Sequence, residues 1–199
     1  TTEEKKQKLL DLITPTTDYS QLKGADMIIE AVFENRDIKA DVTAKAEAQI
    51  SETAVFGSNT STLPITGLAK NSKRPKNFIG VHYFSPVEKM PLVDIIMGGE
   101  TSQETLAKTM DYVQKIKKTA IVVNDSRGFY TSRVFGTYTG EGMEMLAEGI
   151  NPALIENAGK MTGMPMAPLA LMDAVALDLA HKVGVQTKNC LLYTSDAAD

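Results

Sequence analysis

Residues 81–94 carry the side chains of this chain that are best suited to acid–base chemistry. His82 is one of only two histidines, and Asp94 follows it twelve residues later. Imidazole is the side chain most often used as a general base, and a neighbouring carboxylate orients the ring and stabilises its protonated form. The spacing therefore predicts a His–Asp pair, provided that the chain folds back between the two residues.

The sequence around this pair predicts the elements that would position it. The residues before Ser85 are β-branched and aromatic, the residues after Met90 are aliphatic, and a Ser-Pro turn separates the two stretches. Both stretches are typical of strands joined by a turn. In a hairpin centred near Glu88, His82 and Asp94 are cross-strand partners on one face. The same spacing also fits a buried structural histidine and an unrelated aspartate, and spacing alone does not decide between them.

A second group of polar side chains follows the predicted strand at residues 54–57. Residues 58–61 read Ser-Asn-Thr-Ser. In parallel sheets, ligands bind outside the carboxyl ends of the strands. Hydroxyl and amide groups can donate hydrogen bonds to a carboxamide or to a substrate oxygen. The same residues also suit a loop that caps the short helix predicted after Pro64, so the pattern leaves both interpretations open.

Residue identities over the predicted hairpin resemble one enzyme family. Residues 80–94 read Gly-Val-His-Tyr-Phe-Ser-Pro-Val-x-x-Met-Pro-Leu-Val-Asp. This resembles the catalytic segment of the L-3-hydroxyacyl-CoA dehydrogenases, including the dehydrogenase part of the multifunctional fatty-acid oxidation alpha subunit. The family also has Ser-Asn-Thr-Ser at residues 58–61 and Gly-Phe-x-x-Asn-Arg where this chain has residues 128–133. The resemblance runs from about Thr16 to Val183.

The resemblance implies a role for each matching position. His82 would be the general base that removes the proton of the 3-hydroxyl group, and Asp94 would orient its ring. Ser61 would hydrogen-bond the C3 oxygen, and Ser132 stands where the family asparagine holds the substrate carbonyl. NAD is the implied cofactor, and no metal is predicted. The implied cofactor contacts are Glu34, Lys39, Asn59, Ser61 and Ser85.

Taken as residues alone, two of these contacts have a simpler interpretation. Glu34 fits an acid at a helix N-terminus, and Lys39 fits a solvated lysine.

Three positions depart from the family pattern. Ser85 and Ser132 replace asparagines, and one hydroxyl cannot reproduce the two donors of an amide. Asp94 replaces a glutamate, so it must lie closer to His82 or bridge to it through water. These changes leave open two alternatives to acyl-CoA oxidation, namely a dehydrogenase of a CoA-free hydroxy acid and a non-catalytic binding or structural relative.

The order of predicted elements indicates a doubly wound α/β sheet followed by an all-α region. We assign residues 1–124 to the C-terminal part of an NAD-binding Rossmann domain and residues 125–189 to the N-terminal part of an all-α domain. The first strand is predicted over residues 27–33, and the helix after it opens at Asn35 or Asp37. The apolar helix residues expected to face inward are Leu9, Leu10, Leu12, Ile38, Val42, Ala46, Ile50, Leu106, Met110, Val113, Ile116, Leu154, Ile155, Ala158 and Met161.

Both ends of the sequence look artificial. Residues 190–199, which include the only cysteine, resemble the translation of a sequencing adapter and are expected to pack against nothing. The chain lacks the Gly-x-Gly-x-x-Gly turn that cradles a dinucleotide pyrophosphate, which the family places ahead of residue 1. We therefore expect this chain alone to be inactive and to have little affinity for NAD.

Composition narrows the choice of partners. The formal net charge of −4 disfavours nucleic acid, and no apolar run is long enough to span a membrane. The resemblance implies an acyl-CoA substrate and either a homo-oligomer or a place in a fatty-acid oxidation complex. It also implies the cytoplasm of a bacterium, or the mitochondrial matrix if the source is eukaryotic.

Overall fold

The computed structural model describes residues 2–175, which form two compact units divided between Arg127 and Gly128. The first unit is built on a five-stranded sheet with the strands in sequence order. All neighbouring strands are parallel except β3 and β4, which are antiparallel. The strands are β1 (Met27–Glu30), β2 (Val55–Ser58), β3 (Phe78–Tyr83), β4 (Leu92–Met97) and β5 (Thr119–Asn124).

Helices alternate with these strands except between β3 and β4, and the predicted α/β fold class is confirmed. The sheet core is formed by aliphatic side chains of β2, β3, β4 and the helix α4 (Gln103–Lys115) that are almost wholly buried. These side chains are Val55, Ile79, Val81, Val93, Ile95 and Val113. The helices of this unit are α1 (Glu3–Leu10), α2 (Arg36–Glu47), α3 (Ile65–Ala69) and α4 (Gln103–Lys115), with 3₁₀ turns at Tyr19–Leu22 and Pro75–Asn77.

The short helix α3 is capped by a distant residue. The Asp125 carboxylate, just beyond β5, accepts hydrogen bonds from the backbone N–H groups of Ile65 at 2.7 Å and Thr66 at 2.8 Å. It also accepts the Thr66 hydroxyl. Pro64 precedes the helix and supplies no side-chain cap. The end of β5 is thereby fixed to the start of α3.

Helix α4 ends in a Schellman motif. Lys117 has a left-handed backbone with φ of 61°. Its N–H donates to the carbonyl of Gln114 at 2.9 Å, and the N–H of Lys118 donates to the carbonyl of Val113 at 3.1 Å. The motif turns the chain from α4 directly into β5.

The second unit is helical over the part that the structure describes, through Val175. It contains α5 (Thr131–Ala147), α6 (Pro152–Met161) and α7 (Pro168–Val175). Asn151 caps α6 and Gly149, with φ of 87°, follows α5. A Cβ atom on Gly142 or Gly159 would lie 2.6 Å from Pro168, so these glycines let α7 pack closely against α5 and α6.

Several predicted inward faces are wrong. Leu9, Leu10 and Leu12 are 62%, 49% and 83% exposed, and α1 has no buried residue. Leu154 and Met161 are 63% and 88% exposed on α6, where Ile155 and Gly159 are buried instead. Also exposed are Met110 of α4, Ile116 at the C-cap of that helix, Ile38 of α2 and Ala158 of α6.

The buried face of α2 shows the physical reason for these errors. Its buried residues are Lys39, Thr43, Ala46 and Glu47, of which three are polar. Each polar side chain has a hydrogen-bond partner; Thr43, for example, donates to the carbonyl of Lys39 at 2.7 Å. Satisfied polar groups can be buried at little cost, so the apolar pattern misses the polar part of this face, whereas the predicted burial of Ala46 and Ile50 is confirmed.

The first strand is shorter than predicted. It ends at Glu30, and Phe33, which was assigned to it, is 84% exposed. The expectations for residues 190–199 and for the part of the all-α region beyond Val175 lie outside the described residues. Between residues 2 and 175, no helix is long and apolar enough to cross a bilayer.

Candidate active site

The antiparallel hairpin of β3 and β4 brings His82 and Asp94 together. They are direct cross-strand partners, as the spacing predicted. Nδ1 of His82 lies 3.3 Å from Oδ2 of Asp94, and both side chains are buried. In the tautomer in which Nδ1–H donates to the carboxylate, Nε2 is the ring nitrogen that can accept a proton. The geometry therefore suits a general base with an orienting acid.

The His–Asp contact is long for a charged pair. Hydrogen bonds from a cation to a carboxylate are usually about 2.7–2.9 Å long, and this contact is 3.3 Å. The ring of Phe84 lies 4.5 Å from the imidazole, tilted by 54°, so packing also restricts the ring.

The loop at residues 58–61 lies beside this pair at the carboxyl edge of the sheet. Ser58 ends β2 and is paired in register with Gly80, two residues before His82. The side-chain carbonyl of Asn59 accepts the backbone N–H of Tyr83 at 2.9 Å. The side-chain carbonyl of Asn59 therefore attaches the loop to β3, and the side-chain NH₂ group is the hydrogen-bond donor of this residue.

Glu34 holds the same loop from the other side. One carboxylate oxygen accepts the hydroxyl of Thr60 at 2.5 Å and the backbone N–H groups of Ser61 at 3.1 Å and Thr62 at 3.0 Å. Burial raises the pKa of Glu34, but hydrogen bonds from Thr60 and Thr62 and the charge of Lys39 outweigh it and hold the pKa below its usual value. The helix cap is provided by Asn35, so Glu34 is a loop anchor.

Lys39 is buried, so its interpretation as a solvated lysine is wrong. Its side chain is 2% exposed, and its Nζ lies 2.8 Å from Glu30 and 3.5 Å from Glu34. Its contact with a cofactor stays a prediction, as do those of Glu34, Asn59, Ser61 and Ser85.

The turn between β3 and β4 carries Ser85, which is exposed. Nζ of Lys118 donates to the carbonyls of Val87 at 2.5 Å and Met90 at 2.7 Å, and so fastens this turn to the start of β5. Ser132 lies in the first turn of α5, in the second unit. Among residues 2–175, no three His, Cys, Asp or Glu side chains are grouped closely enough to hold a metal ion.

Two residues around the site were missed in the sequence, namely Glu30 and Lys118. Glu30 had a detectable signal, because it is a charged residue within an apolar strand, and a buried charge requires a partner. Ser58 was considered only as part of a polar loop. Lys118 gave no signal, since its function depends on the path of a turn about 30 residues away.

Comparison with known proteins identifies the family. Residues 1–126 match the model of the 3-hydroxyacyl-CoA dehydrogenase NAD binding domain, and residues 128–192 match the model of the 3-hydroxyacyl-CoA dehydrogenase C-terminal domain. The chain belongs to the 3-hydroxyacyl-CoA dehydrogenase family. The match to the first model indicates NAD as the cofactor.

Similar proteins agree with this assignment. The fatty acid oxidation complex subunit alpha of Shewanella amazonensis is 43% identical over 182 residues, which cover 92% of this chain and 26% of that protein. The corresponding subunit of Shewanella loihica is 42% identical, and the match covers 89% of this chain and 25% of that protein. The chain thus spans about a quarter of these relatives. The structure resembles (S)-3-hydroxybutyryl-CoA dehydrogenase from Ralstonia eutropha with a TM-score of 0.88 and 35% identity, over 94% of this chain and 68% of the other.

Proposed function

We propose that the full-length protein containing this chain oxidises L-3-hydroxyacyl-CoA to 3-ketoacyl-CoA with NAD, in fatty-acid β-oxidation. The observation that carries the proposal is the buried His82–Asp94 pair beside the loop at residues 58–61, at the edge of the sheet where ligands bind in such folds. Family membership supports the choice of reaction.

In this reaction His82 accepts the proton of the substrate 3-hydroxyl group at Nε2. The O–H electron pair then forms the C3 carbonyl as a hydride leaves C3. Asp94 holds Nδ1–H and stabilises the imidazolium that forms. The hydroxyl of Ser61 donates to the C3 oxygen and orients it. Ser132, which replaces the family asparagine, offers a hydroxyl in the second unit.

The residues of the loop fit the cofactor. The amide group of Asn59 and the hydroxyl group of Ser61 are the donors of this loop that we assign to a nicotinamide carboxamide at the carboxyl edge of the sheet, since the hydroxyls of Ser58 and Thr60 donate to Glu30 and Glu34. Bound NAD would supply the acceptor for the hydride of C3. Glu34 and Ser85 are the remaining residues that we assign to the cofactor side of the site, and Lys39 lies behind Glu34.

The relatives also suggest a setting for this activity. The Shewanella proteins are named as alpha subunits of a fatty acid oxidation complex. We propose that the full-length protein joins such a complex, or a homo-oligomer, in the cytoplasm of a bacterium.

The test is turnover by the protein expressed from the full-length reading frame. We expect it to reduce acetoacetyl-CoA with NADH and to reduce acetoacetate much more slowly. The loss of NADH absorbance measures both rates. Equal rates on both compounds would favour a hydroxy-acid dehydrogenase, and NADH binding without turnover of either would favour a non-catalytic relative.

A further inference from the structure

A buried ion pair lies directly behind the loop at residues 58–61. Lys39 and Glu30 are 2.8 Å apart, and their side chains are 2% and 1% exposed. A buried ion pair is usually no more stabilising than well-packed apolar residues of similar volume, because both charges lose their hydration. Stability alone is therefore a poor explanation of this pair, and its neighbours indicate another one.

Two sets of contacts connect this ion pair to the loop at residues 58–61. The second oxygen of Glu30 accepts the hydroxyl of Ser58 at 2.7 Å, and its first oxygen also accepts the N–H of Val32 at 2.7 Å. Lys39 lies 3.5 Å from the other oxygen of Glu34, the carboxylate that holds the N–H groups of Ser61 and Thr62. Both ends of the loop are thus connected to one ammonium group.

We propose that Glu30 and Lys39 are positioning residues that fix the loop at residues 58–61, Glu30 through Ser58 and Lys39 through Glu34, and so aim Ser61 at the reacting oxygen. This rests on the proposed function. It assigns a role to Glu30, and it replaces the direct cofactor contact implied for Lys39 with an indirect one. The ammonium is enclosed by Glu30, Glu34 and the carbonyl of Val32.

The first test measures the loop itself, without reference to activity. In the full-length protein, Lys39→Met removes the cation and Glu30→Gln removes the facing charge with little change of shape. We expect either change to speed hydrogen exchange of the Ser61 and Thr62 amides at least tenfold. Unchanged exchange at these amides in a folded variant would overturn the proposal.

The matched control is Glu47→Gln. Glu47 is another buried carboxylate of α2, and it accepts the hydroxyl of Ser72 and the N–H of Lys73. It lies eight residues from Lys39, about 12 Å along the helix. Its loss should lower stability and leave the exchange of the loop amides unchanged. If Glu47→Gln loosened the loop equally, the effect would be general destabilisation and the proposal would fail.

The second test separates positioning from cofactor contact. Misplacement of a reacting group by about 1 Å can cost about 10²-fold in rate, so Glu30→Gln and Lys39→Met should lower kcat by about that factor with little change in KM for NADH. Lys39→Arg keeps the charge and should retain most of the activity. A raised KM for NADH with normal kcat in Lys39→Met would instead support direct contact.

The two changes should also interact. Combining Glu30→Gln with Lys39→Met removes both charges, so the double variant should lose less than the sum of the single losses. If Lys39→Met does not fold, Ser58→Ala, which cuts the link between Glu30 and the loop, serves the same exchange measurement. A loosened loop in a protein with no dehydrogenase activity would refute the proposed reaction and leave the positioning role intact.

Discussion

His82 and Asp94 face each other across the antiparallel pair β3–β4, with Nδ1 and Oδ2 3.3 Å apart. Both residues belong to one hairpin, so a local register brings them together without long-range assembly. A one-residue slip would turn one side chain to the other face. The strand register at the centre of the sheet therefore fixes the pairing of His82 with Asp94.

His82→Gln in the full-length protein should lower kcat by about 10²–10⁴-fold with little change in KM, because the base acts in the transition state. Steady-state reduction of acetoacetyl-CoA measures both constants, and thermal unfolding serves as the control for structure. Near-normal kcat in a folded variant would show that His82 is only structural.

Asp94 variants should separate orientation from basicity. Asp94→Asn leaves the imidazole present but poorly oriented, so kcat should fall by less than in His82→Gln. Asp94→Glu adds a methylene that can shorten the 3.3 Å contact, and it should keep or raise kcat. The same assay measures both variants, and a severe loss in Asp94→Glu would contradict the proposed pairing.

Glu34 should make the stability of the first unit depend on pH at the acidic end. Its pKa is held below its usual value of 4.5, so its stabilising contribution is complete above that value and disappears as the pH falls through the depressed pKa. The difference in free energy of unfolding between the chain and Glu34→Gln should therefore be largest near neutrality and shrink in acid. Urea unfolding at a series of pH values measures it.

Thr60→Val is the companion variant for this measurement, because it removes one hydrogen bond to Glu34 but keeps the carboxylate. It should reduce the pH dependence without abolishing it. A difference for Glu34→Gln that grew in acid would show that the carboxylate is not stabilising.

Lys117→Gly should stabilise the chain by about 0.5–1 kcal/mol. Lys117 has φ of 61°, a conformation that costs a residue with a Cβ about 1–2 kcal/mol and costs glycine little, offset in part by the entropy of glycine. Urea unfolding measures the change. Lys115→Gly, inside the last turn of α4, is the control and should destabilise by about 1 kcal/mol.

The hairpin was predictable because strand pattern, turn and spacing all lie within one local stretch. The pairing of His82 with Asp94 follows from that register, and the α/β order follows from the alternation of patterns.

The remainder of the site depends on burial of polar groups, which hydrophobic spacing does not detect. Lys39 looks like a surface residue in the sequence, yet it is enclosed because two glutamates from other turns of the chain surround it. Phe33 looks like a core residue and is exposed. For Lys39 both partners lie within nine residues in the sequence, but hydrophobic spacing gives charged residues no weight.

The cap on α3 has a consequence for the order of folding. The loop at residues 58–61 leads into this five-residue helix, whose capping carboxylate, Asp125, lies 60 residues beyond Ile65. So short a helix is not stable alone, and contacts between distant residues form late. We expect the loop at residues 58–61 to reach its final conformation only when β5 has joined the sheet. A nascent chain that ends before residue 119 would contain the sequences of four of these strands but would lack the cap of α3.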